Sequence, residues 1–460
     1  MVREKQSYSL SKEKRIQNNN NNNSNLEDRL SNEENIVFDE EDISNPKVFV
    51  DKIEKSLNSK IKGQEHITKR ISRDVYRHFI VGNDLNEGKI DINDMKKPPQ
   101  IILLIGKSSM GKSYLGKTIG ELFNFPYGEA QSKNITEVGY VGNNIEDAFE
   151  SIINNARKIY LEHHLDDEIY KKYKESRDFL LKINRGISSN DNNSSQKYDK
   201  AKELVEKIEE EIIRFAENYG VLIFDEFDKL AEKNSSNQKV NGKGVQDSLL
   251  SYLGGTNCVD LKINDEYSRN PLAKKTISYK TNNTFIILTG AFEGIEDLIN
   301  DEDSDDGIPK RSDFLDYYKE EEKDKYKLIT LQHLEEYGIN NQLLQRITSS
   351  GIYILRTLEK EDFKEIFYSR LDEIKNNLNN TRMYPDLFQF SSVKISERSL
   401  NTLVDEIYDG KQGCRIINKI IEELPKDIGL YVNKHENDFY GKDELIITPE
   451  LIKKVYGKNE

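Results

Sequence analysis

Three unbroken apolar runs stand out in an otherwise strongly polar chain: residues 101–105, 221–224 and 285–288. Continuous Ile, Leu, Val and Phe without alternation is the pattern of strands covered on both faces. Further strands are predicted near residues 125–129, 352–355 and 445–447. Elsewhere the apolar period lengthens to that of a helix. Val48, Val50, Ile53, Leu57 and Ile61 recur at helical spacing, a second helix is expected over about residues 64–79, and a third over 112–123. Residues 145–219 read as two or three amphipathic, highly charged helices broken by a polar loop at 188–195. Strands alternating with helices predict an α/β fold, a parallel sheet with flanking helices that holds its ligand at the carboxyl ends of the strands. Beyond about residue 358 helices dominate, so a smaller, mainly helical C-terminal domain is expected.

The first apolar run leads directly into Gly106, Lys107, Ser108, Ser109, Met110, Gly111, Lys112 and Ser113, followed by Tyr114. This is G-x-x-x-x-G-K-S between a strand and a helix, the context a phosphate-binding loop requires. The glycines let backbone N–H groups turn inward, Lys112 reaches the outer phosphates and the Ser113 hydroxyl is offered to Mg²⁺. The following helix adds the positive end of its dipole. The second run ends in Asp225 and Glu226, where one carboxylate can hold Mg²⁺ through water and the next can polarise an attacking water. Near the end of the third, Thr289 places a hydroxyl where a γ-phosphate would lie. An isolated glycine turn, a solvated Asp-Glu pair or a capping threonine would each be unremarkable. Their succession on buried strands predicts an ATP site.

Composition narrows the rest. With 460 residues there is room for two or three domains, while 35% hydrophobic and 33% charged residues require that part of the chain be solvated helix or disorder. Residues 1–45, with an asparagine run and an acidic stretch, read as a disordered arm. The large domain is placed at 46–355 and the small one at 356–460. A net charge of −14 disfavours a broad nucleic-acid surface. Two cysteines, Cys258 and Cys414, make neither a disulfide framework nor a zinc knuckle. No apolar run approaches the ~18 residues of a membrane span, and a cytoplasmic location is expected, an organelle matrix being the alternative.

Several short motifs occur in an order that resembles the ClpX/HslU branch of AAA+ protein unfoldases. They are Ile61-Lys62-Gly63-Gln64-Glu65, Gly139-Tyr140-Val141-Gly142, Asp225-Glu226-Phe227-Asp228-Lys229-Leu230, Gly242-Lys243-Gly244-Val245-Gln246, Thr289-Gly290-Ala291-Phe292 and Gly413-Cys414-Arg415. The resemblance spans about residues 47–455. It implies a homo-oligomeric ring, usually a hexamer, that hydrolyses ATP with Mg²⁺ and threads polypeptide through an axial pore. It implies that Arg346 is the arginine finger reaching the neighbour's γ-phosphate and that Arg415 is the sensor-2 arginine. Tyr140, between Gly139, Val141 and Gly142, would be the pore-loop aromatic, Ile61 and Lys62 would line the adenine pocket, and residues 239–242 would stand in a second pore loop.

Departures from the family pattern shape the expectations. The Pro-Glu-Phe usual before the finger is replaced, so Arg346 is identified by its spacing from Gly338. The zinc-binding cysteines of the ClpX N-terminal domain are not matched. Where ClpX carries an apolar Ile-Gly-Phe tip for docking a ClpP-like peptidase, this chain reads Gly307-Ile308-Pro309-Lys310. The charged helical region before Asp225 is longer than in ClpX and is expected to be a hairpin, a solvated coiled coil being the alternative. The expected function is an ATP-driven protein unfoldase acting on polypeptide substrates. Its rivals are a remodelling chaperone without a peptidase, a nucleic-acid motor and a catalytically silent ring.

Overall fold

The computed structural model describes residues 45–95, 98–132, 145–184, 194–231, 242–252, 258–264, 274–302, 325–348, 351–380, 382–387, 389–409 and 413–457. They form two compact units. The first comprises residues up to 57 together with 67–105 and 113–354, and the second comprises 58–66, 106–112 and 355–460.

In the first unit, α1 (Pro46–Lys60) begins on a proline, which lacks the N–H that a first-turn residue would leave unsatisfied. It buries Phe49, Ile53 and Leu57, with the Phe49 ring against Tyr76 and Phe79 of α2 (Glu65–Asn86). The chain then enters β1 (Ile101–Ile105), all five residues buried, and α3 (Lys112–Leu122). After β2 (Tyr127–Gln131) come α4 (Ile145–His163), α5 (Asp167–Asn184) and α6 (Ser194–Tyr219). β3 (Val221–Asp225) follows after the single residue Gly220, then a 3₁₀ turn (Phe227–Leu230) and α7 (Gly242–Tyr252). β4 (Cys258–Asn264) and β5 (Lys274–Lys280) precede β6 (Phe285–Gly290) and α8 (Ile295–Glu302). α9 (Leu331–Tyr337), α10 (Asn341–Thr348) and β7 (Gly351–Ile354) complete the unit.

The main sheet runs β2-β3-β6-β1-β7, every pairing parallel. Register places Leu104 beside Thr289 and Phe224 beside Leu288, so β1, β3 and β6 end along one edge. The predicted parallel sheet with flanking helices is therefore the observed one. β4 and β5 form a separate antiparallel pair whose apolar residues alternate with polar ones, Val259 and Leu261 on one strand and Ile277 and Tyr279 on the other, so that a search for unbroken apolar runs passes over them.

The charged region before Asp225 is three helices bound by polar contacts. Arg157 of α4 donates to Glu209 of α6 at 2.7 Å, and the buried Tyr173 hydroxyl of α5 donates to the same carboxylate at 2.7 Å. Tyr160 of α4 donates to Glu211 at 2.9 Å. At its far end α6 joins the core, with Tyr219 stacked on Phe125. The hairpin expectation holds for α5 and α6, while α4 packs on β2 as part of the sheet's helical cover. The predicted loop at 188–195 falls largely outside the described residues.

The second unit holds α11 (Lys360–Ser369), α12 (Leu371–Leu378), β8 (Ser392–Ile395), α13 (Glu397–Ile407), α14 (Cys414–Lys434), α15 (Glu436–Phe439), β9 (Glu444–Ile447) and α16 (Pro449–Tyr456). β8 pairs with β9 in parallel, and Leu403, Ile417, Leu424, Ile428 and Ile452 are fully buried around them. Only β9 of this pair is foreseen in the sequence. Among the described residues no helix is long and apolar enough to cross a membrane.

Candidate functional site

The carboxylates lie at the end of β3 because an all-apolar strand must surface somewhere, and its first polar residues mark where. Asp225 Oδ1 accepts from the Thr289 hydroxyl at 2.5 Å and from the Glu226 amide at 2.9 Å. Thr289 is fully buried near the end of β6. Two residues 64 apart in sequence are thus joined on the edge where the pattern placed the ligand. Glu226 sits at φ 55°, ψ 37°, a left-handed backbone that costs a side-chain-bearing residue about 1–3 kcal/mol. Such strain turns the side chain out of the strand direction and is typical of functional turns.

Ser132, directly after β2, had no place in the sequence reading. Its hydroxyl is within 2.6 Å of the Glu226 carbonyl and 3.1 Å of that of Asp225, bracing the strained turn from the neighbouring strand. No local motif marks it, since the contact spans 93 and 94 residues. Asp228 reaches the other way, accepting from the Ala291 amide at 3.2 Å and so tying the turn after β3 to the segment after β6.

Ser113, at the start of α3, belongs to the same unit as Asp225. The Ser113 hydroxyl, and an Asp225 carboxylate whose two hydrogen bonds both fall on Oδ1, are hard-oxygen donors of the kind hydrated Mg²⁺ takes. Arg346 lies on α10, half-buried, and its guanidinium donates to the Leu250 carbonyl at the end of α7 at 3.1 Å.

In the second unit the loop of residues 106–112 has the backbone that a phosphate cradle needs. Ser109 (φ 67°) and Gly111 (φ 87°) are both left-handed, and nothing lies within 4 Å of where a Gly111 side chain would begin. Lys107 and Ser108 are exposed, Met110 is buried, and Tyr114 beyond the loop is 51% exposed. Lys112 is largely buried. Its ammonium folds over the loop, donating to the carbonyls of Gly106 at 2.6 Å and Lys107 at 2.8 Å.

Two segments brace this loop. The Cys414 amide donates to the Ser109 carbonyl at 2.7 Å, and a Cβ at Gly413 would stand 2.2 Å from that same oxygen. The glycine of Gly413-Cys414-Arg415 is therefore a steric requirement. Arg415 follows in the first turn of α14, exposed. On the other side Gly106 abuts Leu355, and the next residue, Arg356, exchanges two backbone bonds with the Gln64 amide at 3.0 and 3.1 Å. Arg356 also grips Asp362 with two bonds of 2.7 and 2.9 Å, and Asp362 fills the space beside Gly63. Ile61 is buried and Lys62 half-buried in this segment, where Lys62 donates to the Asn58 carbonyl at 3.0 Å. Cys414 lies at a helix start, yet burial pushes its thiol above the ordinary range, away from a reactive thiolate.

Gly139, Tyr140, Val141 and Gly142 lie outside the described residues, as do Gly307-Ile308-Pro309-Lys310 and, of the second predicted pore loop, residues 239–241. Gly242 is the first residue of α7.

Comparison with known proteins identifies the family. The profile of the AAA domain (Cdc48 subfamily) matches residues 97–350. The ATP-dependent Clp protease ATP-binding subunits ClpX of Borrelia duttonii (strain Ly) and Borrelia recurrentis (strain A1) are each 25% identical over 386 residues, covering 81% of this chain and 72% of the relative. With the family profile spanning more than half of the chain and ClpX relatives along most of it, the protein belongs to the AAA family as a ClpX-like AAA+ ATPase.

Proposed function

We propose that this ATPase is a protein unfoldase and translocase that works as a ring of identical subunits, six in the expected form, and draws polypeptide through an axial pore. The single observation that carries the hydrolytic part is the bond from the buried Thr289 to the half-buried Asp225, beside the strained Glu226. ClpX, the name of the relatives, is the ATP-binding subunit of an ATP-dependent protease.

In this reading Gly106 to Ser113 hold the phosphates of ATP, and Lys112 exchanges its loop carbonyls for phosphate oxygens. Ser113 and, through water, Asp225 hold Mg²⁺, whose chemistry is to neutralise charge developing on the β- and γ-phosphates. Glu226 polarises the attacking water and Thr289 orients it. Arg346 stabilises the γ-phosphate of the neighbouring subunit, Arg415 reports nucleotide state to the small unit, and Ile61 and Lys62 line the adenine. Tyr140 grips the polypeptide, since an aromatic between glycines offers a large apolar contact indifferent to sequence. The cytoplasm is the proposed location.

The test is loss of fluorescence from a tagged, stably folded reporter with ATP and Mg²⁺, with a ClpP-like peptidase present or omitted. Loss that needs ATP and disappears in Glu226→Gln supports the reading, and ATP turnover without unfolding sinks it. Peptidase-independent remodelling is the second reading, favoured by Gly307-Ile308-Pro309-Lys310 in place of an apolar docking tip. It predicts unfolding without degradation when the peptidase is added.

A further inference from the structure

Gly242-Lys243-Gly244-Val245-Gln246 has no part in the hydrolytic chemistry described so far, yet it contains a deeply buried polar side chain. Gln246, on α7, is 1% exposed. Its amide nitrogen donates to the Leu230 carbonyl at 2.9 Å and to the Gly338 carbonyl at 3.2 Å, and its oxygen accepts from the Asn340 amide at 2.8 Å. These three backbone groups fix which way the amide points, because carbonyls accept and an N–H donates. Leu230 closes the turn that begins with Asp225 and Glu226. Gly338 caps the end of α9 and Asn340 immediately precedes α10, which carries Arg346.

Other contacts run along the same line. A Cβ at Gly242 would meet the Leu230 carbonyl at 2.4 Å, so the start of α7 is pressed against the turn after β3. Asn340 donates to Asp247 at 3.2 Å, and Arg346 donates to the Leu250 carbonyl at 3.1 Å. α7 is thereby laced to α10 at Gln246, Asp247 and Leu250, and to the catalytic turn at Gly242 and Gln246.

We propose that Gln246 is a positioning residue for hydrolysis in the adjacent subunit. Through it, the turn bearing a subunit's own Asp225 and Glu226 sets the placement of the Arg346 that the subunit presents to its neighbour. The nucleotide state of one site is thus passed to the next around the ring. This inference rests on the proposed role of Arg346. A buried neutral amide suits the task, since it joins three backbone segments without the cost of desolvating a charge.

Mixed rings test it. Subunits carrying Glu226→Gln do not hydrolyse but still present Arg346, so turnover in rings doped with them occurs on wild-type subunits. Doping with Glu226→Gln/Gln246→Met is expected to lower kcat at the facing sites about 10- to 100-fold, with KM for ATP unchanged, as a misplaced catalytic group does. It should match Glu226→Gln/Arg346→Ala and exceed Glu226→Gln alone. Doping no stronger than Glu226→Gln alone, in rings shown to be assembled by native mass measurement, overturns the proposal.

Gln246→Glu is the second variant, for use if Gln246→Met does not fold. Its oxygen still accepts from Asn340, and while protonated it donates one of the two lost bonds. The doping defect should therefore deepen as pH rises through its titration, and a pH-independent defect counts against positioning. Amide exchange over residues 338–348 supplies a readout that needs no turnover. Faster exchange in either variant supports the lacing and unchanged exchange overturns it. Wild-type protein without ATPase activity would instead overturn the function proposed above.

Discussion

Each unit secures its functional loop with a polar clamp, and the two clamps are built differently. In the first, Gln246 is neutral, almost completely buried, and bonded only to backbone. In the second, Arg356 and Asp362 form a two-bond ion pair whose side chains are 29% and 12% exposed. The difference follows from desolvation. A neutral amide goes into the core once its hydrogen bonds are met, whereas a charged pair loses several kcal/mol of hydration per ion when fully buried and keeps more of it near solvent. The buried amide gives a fixed linkage, and the ion pair gives one that salt can loosen.

The largest expected effect breaks the first clamp. Gln246→Met leaves two carbonyls and one N–H buried without partners, for a loss of roughly 3 kcal/mol or more. Calorimetry should show the Tm of the transition containing α7 fall by several degrees, by the same amount at low and high salt. Next comes the steric brace in the second unit. Gly413→Ala puts a methyl 2.2 Å from the Ser109 carbonyl, so the phosphate loop must shift. Its ATP affinity, read by calorimetric titration, should drop about tenfold or more, corresponding to at least ~1.4 kcal/mol.

Breaking the ionic clamp should cost less. Arg356→Met is expected to lose about 1–2 kcal/mol at low salt, because both partners keep some contact with water. Denaturation at 50 mM and 500 mM salt should show the gap from wild type narrowing. If the gap stays constant, the clamp acts through packing and its contrast with Gln246 disappears.

The last effect appears only below neutral pH and concerns two groups that burial holds neutral in that range. Burial raises Asp74 to about pH 6, despite a bond from the Tyr353 hydroxyl, and lowers His78, one turn further along α2, to about 4. Their signs oppose. Between about pH 4 and 6 the folded state holds the Asp74 proton that the unfolded chain has released, so this group's stabilisation is lost as pH rises. Over about pH 4 to 6.5 the unfolded chain protonates the histidine that the fold keeps neutral, so that contribution grows as pH rises. Asp74→Asn should remove the declining component and leave stability rising with pH, a change of up to ~3 kcal/mol across that window in denaturant titrations, since each pKa unit is worth ~1.4 kcal/mol.

The contrast between the clamps also explains what could be read beforehand. β1, β3 and β6 were legible because full burial demands unbroken apolar runs. Asp225, Glu226 and Thr289 were legible because they are the first polar groups at the ends of such strands. β4 and β5 are buried on one face only, so their apolar residues alternate with polar ones, a period-2 signal that a reading built on unbroken runs passes over. Gln246 stands in a motif that names no role for it, and no local pattern marks Ser132. Both act on backbone groups more than ninety residues away, or across strands, and any polar residue could have served locally. Gly413 lies between these cases: its motif marks it, and only the fold shows that a carbonyl oxygen occupies the space a side chain would need.

The helix α6 constrains how this lineage can change in length. Its 26 residues span about 39 Å and pass through Gly220 straight into the strand that carries Asp225. Ile212, Phe215 and Tyr219 must all face the core. One residue added within the shaft would rotate everything beyond it by about 100° and present the wrong face to the sheet. Growth or loss of the hairpin is therefore confined to its distal end, or to matched additions of whole turns in α5 and α6. Relatives that differ in this region should differ there, while the last three turns before Gly220 keep their phase.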